Sequence, residues 1–309
     1  VTRLLTVLAT ALPLLAATTP ASATAPGKPH VPAGVTAGYV VFDRQTAKVT
    51  EYRNAHRRFR SASVVKILIA IDRLESDSGV SKKDLALLKV MLRVSDDAAA
   101  TSFWSRGGQG RIIQRMARKL QLTDTAPPPA DKPGFWGYTS LSAMDVVKTY
   151  RYLLDRADPK VSGLILGHLR RAGQCGSDGF DQYFGIPRGV RGPWAVKQGW
   201  SGYGSTPPVR CRPATSPAAS TASAALTSAS PAPVALGATA PSGVTATAPA
   251  GAGPVPDLGR PVLHSTGLVG PGERWIMVLL TAHPAGATWQ RSTGQTTKLA
   301  REVHLSGTS

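Results

Sequence analysis

Residues 57–74 read RRFRSASVVKILIAIDRL, and the order of polar and apolar side chains in that run decides what the rest of the chain must supply. From Ser63 the run gives Val64, Val65, Ile67, Leu68, Ile69, Ala70 and Ile71, interrupted by Lys66. A helix apolar on every side belongs in a core, and a buried ammonium is costly unless it is paired or used. Ser63 and Lys66 are three residues apart, so on a helix their hydroxyl and amine share a face. Burial lowers a lysine pKa, and a neutral amine beside a serine can take its proton and leave a nucleophile. The helix start adds unpaired backbone N–H groups at the same point. Ser-x-x-Lys alone is weak, since about one copy is expected by chance in a chain this long.

Two further stretches join it. RVSDDAAATSFW (93–104) carries Ser95-Asp96-Asp97 at a loop-to-helix junction, and WAVKQGW (194–200) carries Lys197-Gln198-Gly199 on a strand. Around them, AGYVVFDRQTAKVTEYR (37–53) reads as two strands about a polar turn. SKKDLALLKVML opens with Ser81 and Asp84 at capping-box spacing and places Leu85, Leu88 and Leu92 on one face. RIIQRMARKLQL and SLSAMDVVKTYRYLLD are amphipathic helices, the second capped by Ser142 with Asp145. PWAVKQGW, PVLHSTGLVG and RWIMVLLTAH are short apolar strands, and QTTKLAREVHL is a closing helix. Strands, a helical block, strands and a helix predict an α+β domain whose antiparallel sheet joins both chain ends.

S-x-x-K, S-D-N and K-T-G in this order are the motif set of penicillin-binding proteins and class A β-lactamases. Ser63-Val64-Val65-Lys66, Ser95-Asp96-Asp97 and Lys197-Gln198-Gly199 follow it, so the chain resembles that superfamily, most closely its exported class A-like serine hydrolases. The resemblance spans the chain from the opening hairpin to the closing helix. It implies a β-lactamase/transpeptidase-like fold with an all-helical lobe, and a site between lobes. It implies Ser63 as acylated nucleophile, Lys66 as base and Ser95 as the proton relay to the leaving nitrogen. Asp97, Lys197, Gln198 and Gly199 would bind substrate, and the backbone N–H groups of Ser63 and Trp200 would form the oxyanion hole.

Three positions depart from the pattern. Asp97 stands where the superfamily has Asn, and an ionised carboxylate cannot donate to a substrate carbonyl. Gln198 stands where it has Thr or Ser. The stretch LTDTAPPPADKPGFWGYTS (122–140) contains no glutamate to activate water, its only acids being Asp124 and Asp131. The resemblance therefore implies acyl-enzyme chemistry on β-lactams or D-Ala-D-Ala-like amides with slow β-lactam hydrolysis. The alternative is a catalytically weak or inactive member that binds cell-wall material.

Residues 1–23 have Arg3, an apolar run and Ala21-Ser22-Ala23, which reads as a secretory leader cleaved after Ala23. The apolar run is too short for a stable membrane span, and no cysteine follows it to carry a lipid anchor. Residues 24–35 are expected to be flexible, with the hydrolase domain over 36–309. Export permits a disulfide between Cys175 and Cys211, two free buried thiols being the alternative, and makes nucleic acid a poor partner. From Pro213 to Pro256 the chain has no charged residue and is dominated by Ala, Pro, Ser and Thr, so 206–259 is expected to be a disordered insertion.

The formal charge of +18 over 309 residues is scattered in pairs such as Arg57-Arg58 and Lys82-Lys83. It reads as a basic surface, open to anionic envelope polymers. A monomer with no cofactor is expected. The six histidines show no metal spacing, and His264 reads as strand packing. Asp96-Asp97 reads as a helix cap. Trp136, Trp200 and Trp275 could form a stacking wall, with core packing expected for two of them.

Overall fold

The computed structural model describes residue 1 and residues 27–76, 79–213 and 255–309. Strands β1 (Thr36–Asp43) and β2 (Lys48–Arg53) form the opening hairpin, and β3 (Phe59–Arg60) leads into a 3₁₀ turn at Ala62–Val65. Helices α1 (Lys66–Leu74), α2 (Lys82–Arg93), α3 (Asp97–Arg106) and α4 (Gly110–Leu120) follow. Then come β4 (Ser140–Leu141), α5 (Ala143–Asp155), α6 (Pro159–Leu169) and the short α7 (Ile186–Gly189). The chain ends with β5 (Trp194–Ser201), β6 (Val262–Val269), β7 (Trp275–Ala282) and α8 (Trp289–Thr308).

The main sheet has the order β2-β1-β7-β6-β5 and its strands pair antiparallel, so the first and last strands are neighbours. The fold is α+β, as the strand–helix–strand pattern predicts. WIMVLLTA in β7 is apolar at nearly every position because both of its faces are covered. Met277 and Leu279 pack with Leu299 and Val303 of α8, whereas Ile276, Val278 and Leu280 face the core of the helical lobe. α1 runs through that lobe, with Ile67, Leu68, Ile69, Ala70 and Ile71 all buried. At 25 cal/mol per Å², burying one such branched side chain contributes about 1.5–3 kcal/mol, which is what fixes this helix as the centre of the lobe.

Several helix starts follow the sequence reading. Ser81 Oγ accepts from Asp84 N at 3.1 Å, and Ser142 Oγ accepts from Asp145 N at 3.2 Å. Other expectations are corrected. The helix expected from Ser63 begins as a 3₁₀ turn and becomes α-helical only at Lys66. Leu85 is exposed, because the buried face of α2 runs through Leu88, Met91 and Leu92. α6 lacks an expectation in the sequence reading; it starts at Asp158, whose carboxylate accepts from Lys160 N, with Pro159 in its first turn.

The segment expected to be flexible over 24–35 is placed from residue 27. Pro29 is buried, Val31 packs against the α8 side of the sheet, and His30 N donates to Glu302 of α8 at 2.7 Å. The ends of the 206–259 segment also belong to the packed structure. Cys211 is bonded to Cys175 and donates its N–H to Gly179 O at 2.8 Å. Val255 is buried, and Asp257 takes two 3.0 Å hydrogen bonds from the Arg57 guanidinium. The rest of that segment, and the leader expected at 1–23 apart from residue 1, lie outside the described residues. No helix among the described residues is long and apolar enough to cross a membrane.

Candidate active site

Two residues that lack the freedom of glycine set up the site. Ala62 has φ +44° and Ser95 has φ +58°, both in the left-handed region that L side chains occupy at a cost of about 1–3 kcal/mol. Ala62 turns the chain out of β3 so that Ser63 stands at the tip of the 3₁₀ turn, and Ser61 N–H anchors the bend on Thr139 O at 2.7 Å. In 3₁₀ geometry residues i and i+3 eclipse. Lys66 therefore meets Ser63 closely, Nζ donating to Oγ at 3.0 Å. Ser95, at the turn between α2 and α3, receives Lys66 Nζ on its carbonyl at 2.6 Å and lies 3.3 Å from it through Oγ.

Lys197 completes the cluster from the edge strand β5. Its Nζ donates to Ser95 Oγ at 2.9 Å and to Gln198 O at 2.8 Å. Ser63, Lys66, Ser95 and Lys197 are thus linked side chain to side chain, from one turn, one helix, one loop and one strand. Lys66 is 0 % and Lys197 1 % exposed. Burial, the largest cause, pulls the Lys66 amine below its usual range, and Asp97, with Oδ1 at 2.6 Å, pulls the other way without reversing it. Lys197 is driven well below its usual range by burial first and by the neighbouring Lys66 second.

Gly199 shares a strand face with Lys197 and turns it towards Ser63. A Cβ there would lie 3.1 Å from Ser63 N and 3.2 Å from Ser61 O, so only hydrogen lets β5 approach this closely. Gln198 points to the other face, where its amide donates to the carbonyls of Gln182 at 3.1 Å and Phe184 at 2.5 Å. The side chain expected to bind substrate is committed to the interior, because strand alternation separates it from its two neighbours.

A cavity of about 390 Å³ opens above Ser63. Asp97 and Asp178 line it, with Phe135, Trp136, Tyr138 and Trp200 as aromatic walls. Trp136 lies under the Lys66 amine, 4.7 Å from ring centre to Nζ, and its indole N–H donates to Thr101 Oγ1 at 3.1 Å. Trp275 is elsewhere, packed on His304 of α8. Two of the three tryptophans therefore face the cavity and one packs.

Asp178 has no counterpart in the sequence reading. Its Oδ2 accepts from Trp200 Nε1 at 2.9 Å and its Oδ1 from Phe180 N at 3.1 Å. Loss of hydration is the main cause that raises its pKa, and the carboxylate of Asp97 adds to it. Only its place in the turn GSDG, three residues past Cys175, marks it in the sequence. Of the other acids considered, Asp96 caps α3 by accepting from Ala99 N at 2.8 Å. Asp124 accepts from Ser142 Oγ and pairs with His56, and Asp131 pairs with Lys132; neither lines the cavity. His264 is buried in β6 with Nε2 2.8 Å from Arg60 O and does not line the cavity. No group of three or more His, Cys, Asp or Glu side chains suited to a metal occurs among the described residues.

The comparisons agree with this architecture. No family model matches the chain. It is 38% identical over 175 residues to the Mycobacterium tuberculosis protein described as "Putative lipoprotein LppW", a match covering 54% of each chain, so it spans about half the length of that relative. Among solved structures it is similar to PBP-A, with a TM-score of 0.55 and 13% identity over 88% of this chain and 90% of that one. A class A β-lactamase from Mycobacterium abscessus gives a TM-score of 0.54 and 15% identity over 87% and 93%. A PBP-A mutant has been solved as an acyl-enzyme complex with penicillin G, with a TM-score of 0.55 and 12% identity over 88% and 90%. The chain shares its fold with PBP-A and with class A β-lactamases.

Proposed function

We propose that this chain is a serine acyl-transfer enzyme that opens an amide of a β-lactam or D-Ala-D-Ala-like substrate through an ester on Ser63. The observation that carries the reading is the 3.0 Å approach of Ser63 Oγ to a fully buried Lys66 amine, at the floor of an open cavity. Uncharged, the amine takes the Ser63 proton as Oγ attacks the carbonyl carbon. The oxygen that gains charge is received by the backbone N–H groups of Ser63 and Trp200, across the gap that Gly199 keeps narrow. The Ser95 hydroxyl protonates the leaving nitrogen and is resupplied by Lys66, 3.3 Å away. Lys197 holds that hydroxyl from its other side.

Neither acid of the 122–140 stretch lines the cavity, so the ester is expected to persist. Incubation with a fluorescent penicillin, followed by denaturing electrophoresis, tests both points. Covalent labelling that lasts for hours and is absent in Ser63→Ala is expected. Unlabelled wild-type protein would remove the acyl-enzyme, and rapid release of hydrolysed penicillin would remove the slow ester.

The 2.6 Å pairing of Asp97 with Lys66 favours a second reading, a weak or inactive relative that binds cell-wall material, because the carboxylate favours the charged amine. Peptidoglycan binding without labelling would decide for it. An extracytoplasmic site of action is proposed on the leader-like residues 1–23 and the Cys175–Cys211 disulfide, and accords with the lipoprotein description of LppW.

A further inference from the structure

The resemblance makes Lys197 a substrate-binding residue, but Lys197 is sealed beneath Ser95 and does not line the cavity. Lys66 is likewise below the floor. No lining residue among those described is cationic, although the chain as a whole carries +18. What faces the cavity is two carboxylates and four aromatic rings. The Asp97 side chain is 71% exposed, with one oxygen on Lys66 and the other open. Asp178 is exposed at the mouth, and its hydrogen bond from Trp200 Nε1 locks the indole beside it.

An anion entering here meets two like charges, whereas a protonated amine meets two carboxylates and π faces that attract it. We infer that the cavity selects an amide substrate bearing a protonated amine, held between Asp97, Asp178 and the Trp200 ring. Asp178 and Trp200 are then specificity residues, outside the proton-transfer chain. The inference deepens the acyl-transfer reading and relies on it only for where the scissile bond lies.

The test uses Ser63→Ala protein, in which no acylation can occur, and two probes of similar size, 4-phenylbutylamine and 4-phenylbutyrate, titrated by calorimetry at pH 7. The amine is expected to bind at least about tenfold more tightly than the carboxylate. Asp178→Asn or Asp97→Asn in the same background should reduce that ratio, and Asp155→Asn, which removes an exposed acid on α5, should leave it unchanged. Equal affinity, tighter binding of the carboxylate, binding of neither probe, or a ratio indifferent to both cavity variants would overturn the inference. Absence of labelling by ampicillin, a penicillin that also carries a protonated amine, in the wild-type protein would sink the acyl-transfer reading and leave this ratio untouched.

Discussion

At the scale of single residues, the decisive contest is over the Lys66 amine. Burial favours its neutral form and Asp97 favours its charged form, and burial prevails. Asp97→Asn removes the opposing influence, so the lysine pKa falls further, and it installs an amide that can donate to a substrate carbonyl. The expected outcome is penicillin acylation faster by about tenfold, with the acidic limb of the pH–rate profile moved to lower pH, measured by stopped-flow labelling across pH 5–9. A slower variant, or one with an unmoved limb, would mean that Asp97 is not what restrains the base. Ser63, Lys66, Ser95 and Lys197 were legible in the sequence because each sits in a short motif whose secondary structure fixes its direction. Asp178 was not, since it reaches the cavity through a turn held by the disulfide and by the N–H of Phe180. Gln198 was misread because the motif names three consecutive residues and a strand shows only alternate ones to the site.

At the scale of elements, the proposed activity depends on how closely β5 lies against the 3₁₀ turn. Gly199→Ala would put a methyl group 3.1 Å from Ser63 N and force the strand outward. A displaced oxyanion donor typically costs about 10²–10³ in rate, so labelling should slow by at least about 10². Retention of the wild-type rate would show that β5 does not supply the donor. The wall carrying Asp178 is tied to residue 211 by a disulfide spanning 36 positions. Loop-closure entropy for that span suggests a contribution of about 4 kcal/mol. Reduction, or the Cys175→Ser/Cys211→Ser pair, should lower unfolding stability by up to that amount in urea titrations; unchanged midpoints would show that the 207–211 packing suffices. The elements themselves were mostly legible, since caps at Ser81 and Ser142 and the two-faced apolar β7 declare themselves locally. The 3₁₀ start and the exposed Leu85 were not, because both follow from what packs alongside.

For the whole molecule, the sheet that joins both chain ends also buries histidines that must stay neutral. Thr281 N donates to His264 Nδ1 at 3.3 Å, which leaves Nε2 carrying the proton towards Arg60 O at 2.8 Å. His283 lies between the hydroxyls of Thr281 and Thr296, at 3.1 and 3.2 Å from Nε2. Burial, the largest cause in each, lowers both from the ordinary 6.5 to about 4. Between those values the unfolded chain binds protons that the folded chain refuses, so stability rises with pH through this window. It is fully present above about pH 6.5 and falls as pH drops towards 4, by up to about 3 kcal/mol for each histidine. Urea unfolding of the wild-type protein at pH 7.0, 6.0, 5.0 and 4.5 should therefore give a falling midpoint with an unchanged slope in denaturant. His264→Gln retains a donor for Arg60 O and removes the titrating ring, so its midpoint should depend less on pH even if it starts lower. A wild-type midpoint that is flat over this range, or a variant with the same pH dependence as the wild type, would show that His264 titrates in the folded sheet as it does in water.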